Sequence, residues 1–522
     1  MIVNYSEWYT EHESKLLNAL AERTRDGQDP SYEILRYSHL KNYILSGEKM
    51  PEILIVHDDD GELSAPAVRL ILDYFIDHPD VHLVYGDEDR RREDGTYTAP
   101  WMKPDWSPDT FLSTFYFGNV IALRSEALLL INPGLRRAED IEIASARQQD
   151  RRDEELARTN EDDDPMREWI YGKVCLKLAQ ADGGFERRSR KAVAGGQFPI
   201  GHIQEVLFHA SSKVSLWDGR LIHGSLTGRY SRESAATRLI SIILPSRDNP
   251  AMLEDCARSI EAHTTVPHEI IIVDNGSSEE NRRRVERLVE ELNENGHAVY
   301  IYEPGPFNMA GFMNRGAREA GGEMLLFLHD DVEIHTDGWL SHLSEKAKLP
   351  YVGAVGIKLL YPDSDVIQHA GILMAGGVPV NRLRLKQNSE SHHFDFNKGV
   401  RNVLAVSGAC MMVRREVFAE AGGFDEERFP DCCSDIDFCL RLFELGYYNV
   451  VRNNMYLHYH EHGSIENEQT KEERLTRLPQ ERQALRQLHP RLMREDPYYH
   501  KYFTTDPSEK RFRVDITDTD VR

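Results

Sequence analysis

The spacing of apolar residues after position 238 predicts alternating strands and helices. Four short apolar runs are typical of strands buried on both faces: 239–244, 270–273, 299–302 and 324–328. Apolar residues at helical spacing between the runs predict helices, the first beginning at Asn249-Pro250 and the last covering about 309–320. This alternation predicts an α/β domain with parallel strands, whose ligands bind at the carboxyl ends of the strands.

The pattern before position 238 is less regular. Residues 1–50 have helical spacing and no strand-like run, and residues 51–56 read as a short buried strand. Residues 136–168 are dense in charge and predict a solvated helix or a mobile insertion, whereas residues 225–237 are small and polar and predict a linker. We therefore expect four parts: an N-terminal helical segment (1–50), a first α/β unit (51–230), a second domain (238–470) and a helical tail (471–522).

The composition of the chain disfavours several classes of function. The 522 residues contain 63 Lys and Arg against 87 Asp and Glu, and this net charge of −24 disfavours non-specific binding to nucleic acid or to anionic lipid. A membrane-spanning apolar stretch and a secretory signal are both missing from the sequence. The six cysteines form no CxxC pair, which predicts reduced, buried thiols. We expect a cytoplasmic protein, at most peripheral at the inner face of a membrane.

Polar residues follow the first two predicted strands of the second domain. The first group is Pro245-Ser246-Arg247-Asp248, and the lack of a glycine-rich loop here disfavours a dehydrogenase or a pyrophosphorylase. The second is Asp274, followed by Asn275-Gly276-Ser277. Asp274 either begins a simple turn or accepts a hydrogen bond from the base or ribose of a nucleotide.

Two further groups are acidic. His329-Asp330-Asp331 follows the fourth strand, and carboxylates crowded there predict a divalent cation, Mg²⁺ or Mn²⁺, although a solvated turn is the alternative. Asp435 stands in the first turn of a predicted helix, where the helix dipole favours its ionised form. Asp437 lies four residues before Arg441, which predicts a surface ion pair. We therefore expect Asp435 to be the catalytic base and Asp437 to be structural.

These four groups, in this order, resemble glycosyltransferase family 2, whose members have the GT-A fold, a Rossmann-like mixed sheet. The resemblance implies that Pro245, Ser246, Arg247 and Asp274 hold the nucleobase, that Asp330 binds ribose and that Asp331 binds the metal-bound diphosphate. It also implies that a histidine beyond the last strand completes the metal site. His460 fits best, with His458 and His462 as alternatives. The resemblance places Asn308 and Asn314, in two supporting stretches, at the donor site. His329 stands where the first aspartate of the DxD motif is usual, which weakens the case for the cation.

The N-terminal half resembles the first unit of tandem transferases that build bacterial surface polysaccharides. The resemblance rests on 82–89, which ends in Asp87-Glu88-Asp89, and on 102–109. The opening strand, the helix and the nucleobase-binding aspartate have no counterpart upstream of residue 51, and Tyr171 stands where the base is expected. We therefore predict a truncated, degenerate GT-A-like unit that shapes the acceptor groove or an oligomer interface.

The sequence as a whole predicts an inverting, metal-dependent glycosyltransferase of hexosyl or rhamnosyl type. It would move a sugar from a nucleoside-diphosphate sugar to a hydroxyl of a glycan or lipid-linked glycan, in surface-polysaccharide assembly. Two alternatives stay open: a bifunctional polymerase with two active sites, and a catalytically silent scaffold that binds glycan or nucleotide.

Overall fold

The computed structural model describes residues 5–23, 28–46, 49–131, 170–211, 239–294, 296–393, 395–460 and 468–503. The chain divides into two compact units. The first unit comprises Met1–Phe185, Phe198–Arg220 and His500–Arg522, and the second comprises Glu186–Gln197 and Leu221–Tyr499. The predicted charged insertion at 136–168 and the predicted linker at 225–237 lie outside the described residues.

The first unit is built on a seven-stranded sheet with the order β1-β2-β6-β4-β7-β3, in which β5 pairs with β4. Its strands are β1 Tyr32–Arg36, β2 Ile53–His57, β3 Gly61–Leu63, β4 Leu83–Arg91, β5 Tyr97–Trp101, β6 Val120–Arg124 and β7 Gly201–Ala210. Its helices are α1 Tyr5–Glu22, α2 Tyr37–Ser46, α3 Ala67–Asp77, α4 Pro108–Ser113, α5 Ser125–Ile131, a π-helix Ile170–Cys175, and α6 Leu176–Ala181. Apolar residues of α3 pack with those of β2, β6 and β7 to form the core of this unit.

The prediction that residues 1–50 contain no strand was wrong. Strand β1 pairs in parallel with β2, and α2 lies between them in sequence, so an opening strand and helix do precede residue 51. Leu35 is the one buried residue of β1, which runs along the edge of the sheet. An edge strand with so little buried surface shows none of the alternation that marks a half-buried strand.

The second unit contains a ten-stranded mixed sheet with the order β10-β9-β8-β11-β18-β13-β19-β12, in which β14 pairs with β13 and β17 with β19. Strands β15 and β16 form a separate two-stranded antiparallel sheet. The strands are β8 Ile240–Ser246, β9 His268–Asp274, β10 Ala298–Tyr302, β11 Met324–Leu328, β12 Val332–Glu333, β13 Val352–Leu360, β14 Ile367–His369, β15 Ile372–Ala375, β16 Val378–Asn381, β17 Val400–Val403, β18 Cys410–Arg414 and β19 Tyr448–Tyr459. The helices are α7 Arg190–Ala194, α8 Pro250–His263, α9 Glu279–Leu292, α10 Met309–Glu319, α11 Trp339–Ala347, α12 Arg415–Glu420, α13 Ser434–Glu444 and α14 Glu468–Leu488.

The strands and helices predicted between 239 and 328 are confirmed. Strands β8, β9, β10 and β11 are parallel to their neighbours within this group, and their carboxyl ends meet at one edge of the sheet. Strand β18 then runs antiparallel to β11, so the sheet becomes mixed. The candidate residues after β8 and β11 are thereby brought to one place.

The C-terminal region differs from the predicted helical tail. The region from α14 to Tyr499 belongs to the second unit, and His500 onward belongs to the first. A helix can bury a few residues and still be charged over most of its surface, so its sequence does not reveal such packing. Among the described helices, none is long and apolar enough to cross a membrane. The six cysteines form no disulfide, and all but Cys432 are buried.

Candidate active site

A cleft of about 490 Å³ lies in the second unit, at the carboxyl ends of β8 and β11. Six of the predicted site residues line it: Pro245, Ser246, Arg247, Asp330, Asp331 and Asp435. The wall is completed by the loop before β18, by the segment 431–433 and by Arg477, Leu478 and Arg482 of α14. The structure therefore brings most of the predicted site into one cavity.

Asp330 is held by the residue that ends β8. The Ser246 hydroxyl donates a 2.6 Å hydrogen bond to Asp330 Oδ2. Asp330 is only 5% exposed, and burial raises the pKa of its carboxyl to about 7, although the Ser246 hydrogen bond acts in the opposite direction. A carboxyl fixed beside a cleft in this way can accept a hydrogen bond from a hydroxyl of a ligand.

Asp331 presents an unused acceptor. Its carboxylate is 5% exposed, and Oδ1 is buried without a hydrogen-bond partner among the described residues. A buried acceptor without a donor is costly, and a hard divalent cation would satisfy it. The neighbouring His329 has its Nδ1 3.1 Å from the Tyr459 hydroxyl, and both of these residues line the cleft. The residues present therefore fit a cation at Asp331, with an imidazole beside it in place of a second carboxylate.

Asp274 lies beneath the cleft surface. It is fully buried, and its two oxygens accept hydrogen bonds from the Ser277 N–H (2.8 Å) and the Tyr300 hydroxyl (2.6 Å). Asn275 and Asp248 line the cleft, whereas Asp274 is not among the described residues that line it. These hydrogen bonds agree with the alternative interpretation, in which Asp274 simply begins a turn. A role of Asp274 in nucleobase binding stays a prediction.

The two asparagines of α10 also have structural partners. Asn308 caps the helix by accepting the Gly311 N–H at 2.8 Å and donates to the Glu426 carbonyl at 2.9 Å. Asn314 accepts the Phe424 N–H at 3.0 Å and donates to the Phe424 carbonyl at 2.9 Å. Both side chains thus hold the turn around residues 424–426, and their predicted part in donor binding is untested.

Asp435 lies in the first turn of α13, as predicted, and its side chain reaches the cleft. Backbone N–H groups of Gly408 and Ile436 donate to its two oxygens at 2.7 and 2.8 Å. Burial raises the pKa of this carboxyl to about 6, against the lowering effect of those hydrogen bonds. A carboxylate that is oriented and has an elevated pKa is suited to accept a proton near neutral pH.

Asp437 is not among the described residues that line the cleft. It is buried, with Oδ2 2.8 Å from Arg441 Nε and Oδ1 3.0 Å from His489 Nε2. The predicted ion pair with Arg441 is present, but its expected place at the surface was wrong, because Asp437 is only 1% exposed and has His489 as a further partner. Asp437 therefore ties α13 to the residue that follows α14.

The ring of His460 contacts Glu333. The His460 N–H donates to the Asp331 carbonyl at 3.0 Å, but Nε2 of its ring lies 3.3 Å from Glu333 Oε2. Tyr459 lines the cleft, and His458 and His460 are absent from the described lining. The alternation of side chains along β19 explains why Tyr459 and His458 face opposite ways. His462 lies outside the described residues.

Helix α14 supplies site residues that sequence reasoning missed. The Glu481 carboxylate accepts the backbone N–H groups of Asp431 (3.2 Å), Cys432 and Cys433 (both 2.9 Å), and so fixes the segment that leads into Asp435. Arg482 lines the cleft, and its buried Nε has no hydrogen-bond partner among the described residues. No sequence motif marks these positions, because only the packing of the helix separates them from other charged residues of α14.

The acidic residues of the first unit are held in its own buried networks. Asp87 accepts the Lys103 N–H at 2.8 Å and lies 3.1 Å from His202 Nε2, and Asp89 Oδ1 lies 2.5 Å from His209 Nδ1. Tyr171 is buried, and its hydroxyl donates to the Phe111 carbonyl at 3.3 Å. These contacts hold Asp87 and Asp89 inside the first unit, and the absence of a catalytic role there stays a prediction.

Comparison with known proteins agrees with the geometry of the second unit. Residues 241–422 match the family described as glycosyl transferase family 2. An O-antigen biosynthesis protein, RfbC, of Myxococcus xanthus is 31% identical over 437 residues, which cover 78% of this chain and 30% of that protein. An uncharacterized protein of Sinorhizobium fredii is 29% identical over 80% of this chain and 45% of its own length. The chain thus spans less than half the length of these two relatives.

A shorter match involves a β-1,3-glucosyltransferase of Campylobacter jejuni that acts on an undecaprenol-linked glycan, with 31% identity over 24% of this chain and 40% of that enzyme. Among solved structures, a mannosyltransferase of Pyrobaculum calidifontis is similar with a TM-score of 0.35 and 15% identity, over 50% of this chain and 69% of its own. A structural likeness of this degree implies nothing about ligands or activity.

The family match covers the part of the chain in which the mixed sheet, the Ser246–Asp330 pair and Asp331 were found. Residues 241–422, within the second unit, therefore belong to glycosyltransferase family 2, and the mixed sheet of this unit is that of the GT-A fold.

Proposed function

We propose that the chain is an inverting glycosyltransferase that moves a sugar from a nucleoside-diphosphate sugar to a hydroxyl of a glycan or lipid-linked glycan. The observation that carries this proposal is that one cleft is lined by Ser246, Asp330 and Asp331 as well as by Asp435. The first three suit the nucleotide and its diphosphate, and Asp435 suits the acceptor hydroxyl. The family and the relatives named above support the reaction class and a place in surface-polysaccharide assembly.

The chemical step that we propose centres on Asp435. Its carboxylate takes the proton of the acceptor hydroxyl while that oxygen bonds to the anomeric carbon of the donor sugar. The bond between the anomeric carbon and the diphosphate oxygen breaks on the opposite face, and the bonding electrons leave with the diphosphate. Attack from the opposite face inverts the configuration at the anomeric carbon.

Two positively charged groups would stabilise the negative charge on the departing diphosphate. Asp331 would hold a divalent cation, Mg²⁺ or Mn²⁺, which supplies a positive charge to the diphosphate oxygens. His460 would join it only if its ring leaves Glu333. Arg482 carries a guanidinium with an unused N–H at the cleft, and we assign to it a hydrogen bond to a phosphate oxygen.

The test is release of nucleoside diphosphate by the purified chain from a panel of UDP-, dTDP- and GDP-sugars, hexosyl and deoxyhexosyl, with glycan and lipid-linked acceptors. We expect one donor class to give turnover that depends on acceptor, with a product of inverted anomeric configuration. A product of retained configuration would contradict the mechanism. Binding of a sugar nucleotide without turnover on any acceptor would favour the silent scaffold, and two distinct linkages in one product would favour the bifunctional polymerase.

A further inference from the structure

Four potential metal ligands lie together at the ends of strands β12 and β19 of the second unit. Glu333 of β12 is paired with His458 of β19, and His335 and His460 follow two residues after each of these. Glu333 Oε1 lies 3.4 Å from His335 Nε2, and Glu333 Oε2 lies 3.3 Å from His460 Nε2. The rings of His335 and His458 meet edge to face with centroids 4.8 Å apart. We call Glu333, His335, His458 and His460 the histidine cluster.

The cluster has the spacing and the chemistry of a transition-metal site. One ligand atom each from Glu333, His335 and His458 lie within 4.8 Å of one another. Side chains of Glu333, His335 and His460 are 41%, 43% and 36% exposed, so an ion from solvent can reach them. Two or three imidazoles with one carboxylate form a ligand set that Zn²⁺ takes in proteins, with water in a remaining position.

We propose that the histidine cluster binds one Zn²⁺ ion, outside the cleft and separate from the cation at Asp331. The two sites differ in ligand chemistry, because a carboxylate at Asp331 suits Mg²⁺ or Mn²⁺ whereas imidazoles favour zinc. The zinc ion joins β12 to β19. These two strands also carry Val332, which follows Asp331, and Tyr459, which lines the cleft. The ion therefore stabilises the edge of the sheet next to the active site.

A second group of ligands in the first unit does not support the same inference. Asp87, His202 and His500 also place ligand atoms within 4.8 Å of one another. His500 Nδ1, however, accepts the Tyr502 N–H at 3.2 Å, so the ring proton lies on Nε2, the atom 2.8 Å from Asp87 Oδ2. An imidazole that binds a metal through Nε2 needs its proton on Nδ1. The protonation of the His500 ring therefore opposes a metal ion at this group, whereas the hydrogen bond between His460 Nε2 and Glu333 lies within the histidine cluster itself.

The test uses the full chain, stripped with a chelator, dialysed against Zn²⁺ without sugar nucleotide, and analysed for bound metal. We expect one zinc ion per chain in the wild type, and loss of that ion in His335→Gln and in His458→Gln. His263→Gln is the matched control, because His263 is partly exposed and paired with one carboxylate, Asp337, at 2.6 Å. Asp331→Asn should also retain the zinc ion, which separates this site from the donor site.

Thermal unfolding with and without Zn²⁺ is a second measurement, in case one of the variants fails to fold. Zn²⁺ should raise the thermal unfolding midpoint of the wild type and of His263→Gln, because a ligand that binds the folded state stabilises it, and it should not raise that of His335→Gln. A stripped wild type that binds no zinc, or zinc retained in full by both His335→Gln and His458→Gln, would overturn the proposal. Neither result depends on transfer activity, so a wrong assignment of the enzymatic reaction would leave this inference intact.

Discussion

Gly408 donates its backbone N–H to Asp435 Oδ2 across 2.7 Å, and this contact fixes the carboxylate at the cleft. A Cβ atom at position 408 would lie 3.2 Å from the Asp435 Cβ, which is closer than side chains normally pack. A glycine at position 408 therefore allows the backbone there to approach Asp435 this closely. The hydrogen bond leaves the remaining lone pairs of Asp435 available to a ligand, since each oxygen can accept more than one donor.

Asp435→Asn should lower the rate of transfer by roughly 10²–10⁴-fold, because the amide has no basic oxygen to accept the acceptor's proton. The side chain keeps its size and can still accept the Gly408 N–H. Donor affinity should therefore change little, whereas the thermal midpoint should fall because the amide nitrogen cannot accept the Ile436 N–H. Steady-state kinetics with saturating donor, together with calorimetry of donor binding, would measure both effects.

Asp437→Asn is the comparison for that experiment. Asp437 is buried between Arg441 and His489, so we expect its replacement to lower stability and to spare the chemical step. If Asp435→Asn keeps more than half of the wild-type turnover while folded Asp437→Asn loses it, the assignment of the base must move to Asp437.

The pH dependence of transfer should follow the ionisation of Asp435. Burial raises the pKa of this carboxyl to about 6, and only the ionised form accepts a proton. The rate should therefore be highest above pH 7 and fall about tenfold per unit as the pH drops below about 6. Rates between pH 5 and 8 at saturating donor would test this. A profile that stays flat to pH 5 would show that a group with a lower pKa acts as the base.

Asp331→Asn should abolish the dependence of donor binding on a divalent cation, because the replaced oxygen is the unused acceptor at the cleft. Calorimetry with a sugar nucleotide, with and without Mg²⁺ or Mn²⁺, is the measurement. For the wild type we expect binding to weaken when the ion is removed by chelator. Equal affinity of the wild type with and without the ion would remove the cation from the mechanism.

Arg482→Gln should weaken donor binding by about 10–100-fold, the range expected for the loss of one hydrogen bond to a charged group. Arg486→Gln is the matched control on the same helix, because Arg486 is occupied by a 2.9 Å hydrogen bond to the Gly377 carbonyl and is not among the described residues of the cleft. Competition with free nucleoside diphosphate and with nucleoside would locate the contact. An equal loss of affinity for the nucleoside diphosphate and for the nucleoside would argue against a phosphate contact.

The sequence predicted the parts of the fold that have a strong periodic signal. Strand β11 was expected at 324–328 and is found there, because a run of five apolar residues can be buried on both faces. Strand β1 was missed because only Leu35 is buried, and edge strands carry little pattern. The same contrast holds within the site. Asp435 follows from its place at a helix start, but Glu481 and Arg482 are distant in sequence and reach the cleft only through the packing of α14.

Spacing alone also could not tell which polar residues face the cleft. Asp274 stands at a strand end like Ser246, yet its carboxylate points into the sheet edge and meets Tyr300 at 2.6 Å. Nothing in the local sequence distinguishes the two orientations, because the partner is 26 residues away on a neighbouring strand. His458 and Tyr459 show the same effect, since the face of a strand that a residue occupies depends on register.

The contact between His489 and Asp437 should make the stability of the second unit depend on pH. His489 is 3% exposed, and burial acts to lower its pKa, but the hydrogen bonds to Asp437 and Glu444 outweigh burial and raise the pKa to about 9. A histidine with a raised pKa in the folded state stabilises the protein fully below its unfolded pKa of about 6.5. That stabilisation is then lost as the pH rises through about 9.

We therefore expect His489→Gln to lower the free energy of unfolding by up to roughly 3 kcal/mol at pH 6, and by much less at pH 10. Chemical denaturation of both proteins at the two pH values would measure the difference, and Glu444→Gln is the control. Glu444 is 43% exposed, so its pair with His489 should contribute less than about 1 kcal/mol at either pH. A loss in His489→Gln that is the same at both pH values would show that His489 stabilises the unit by packing alone, as a neutral ring.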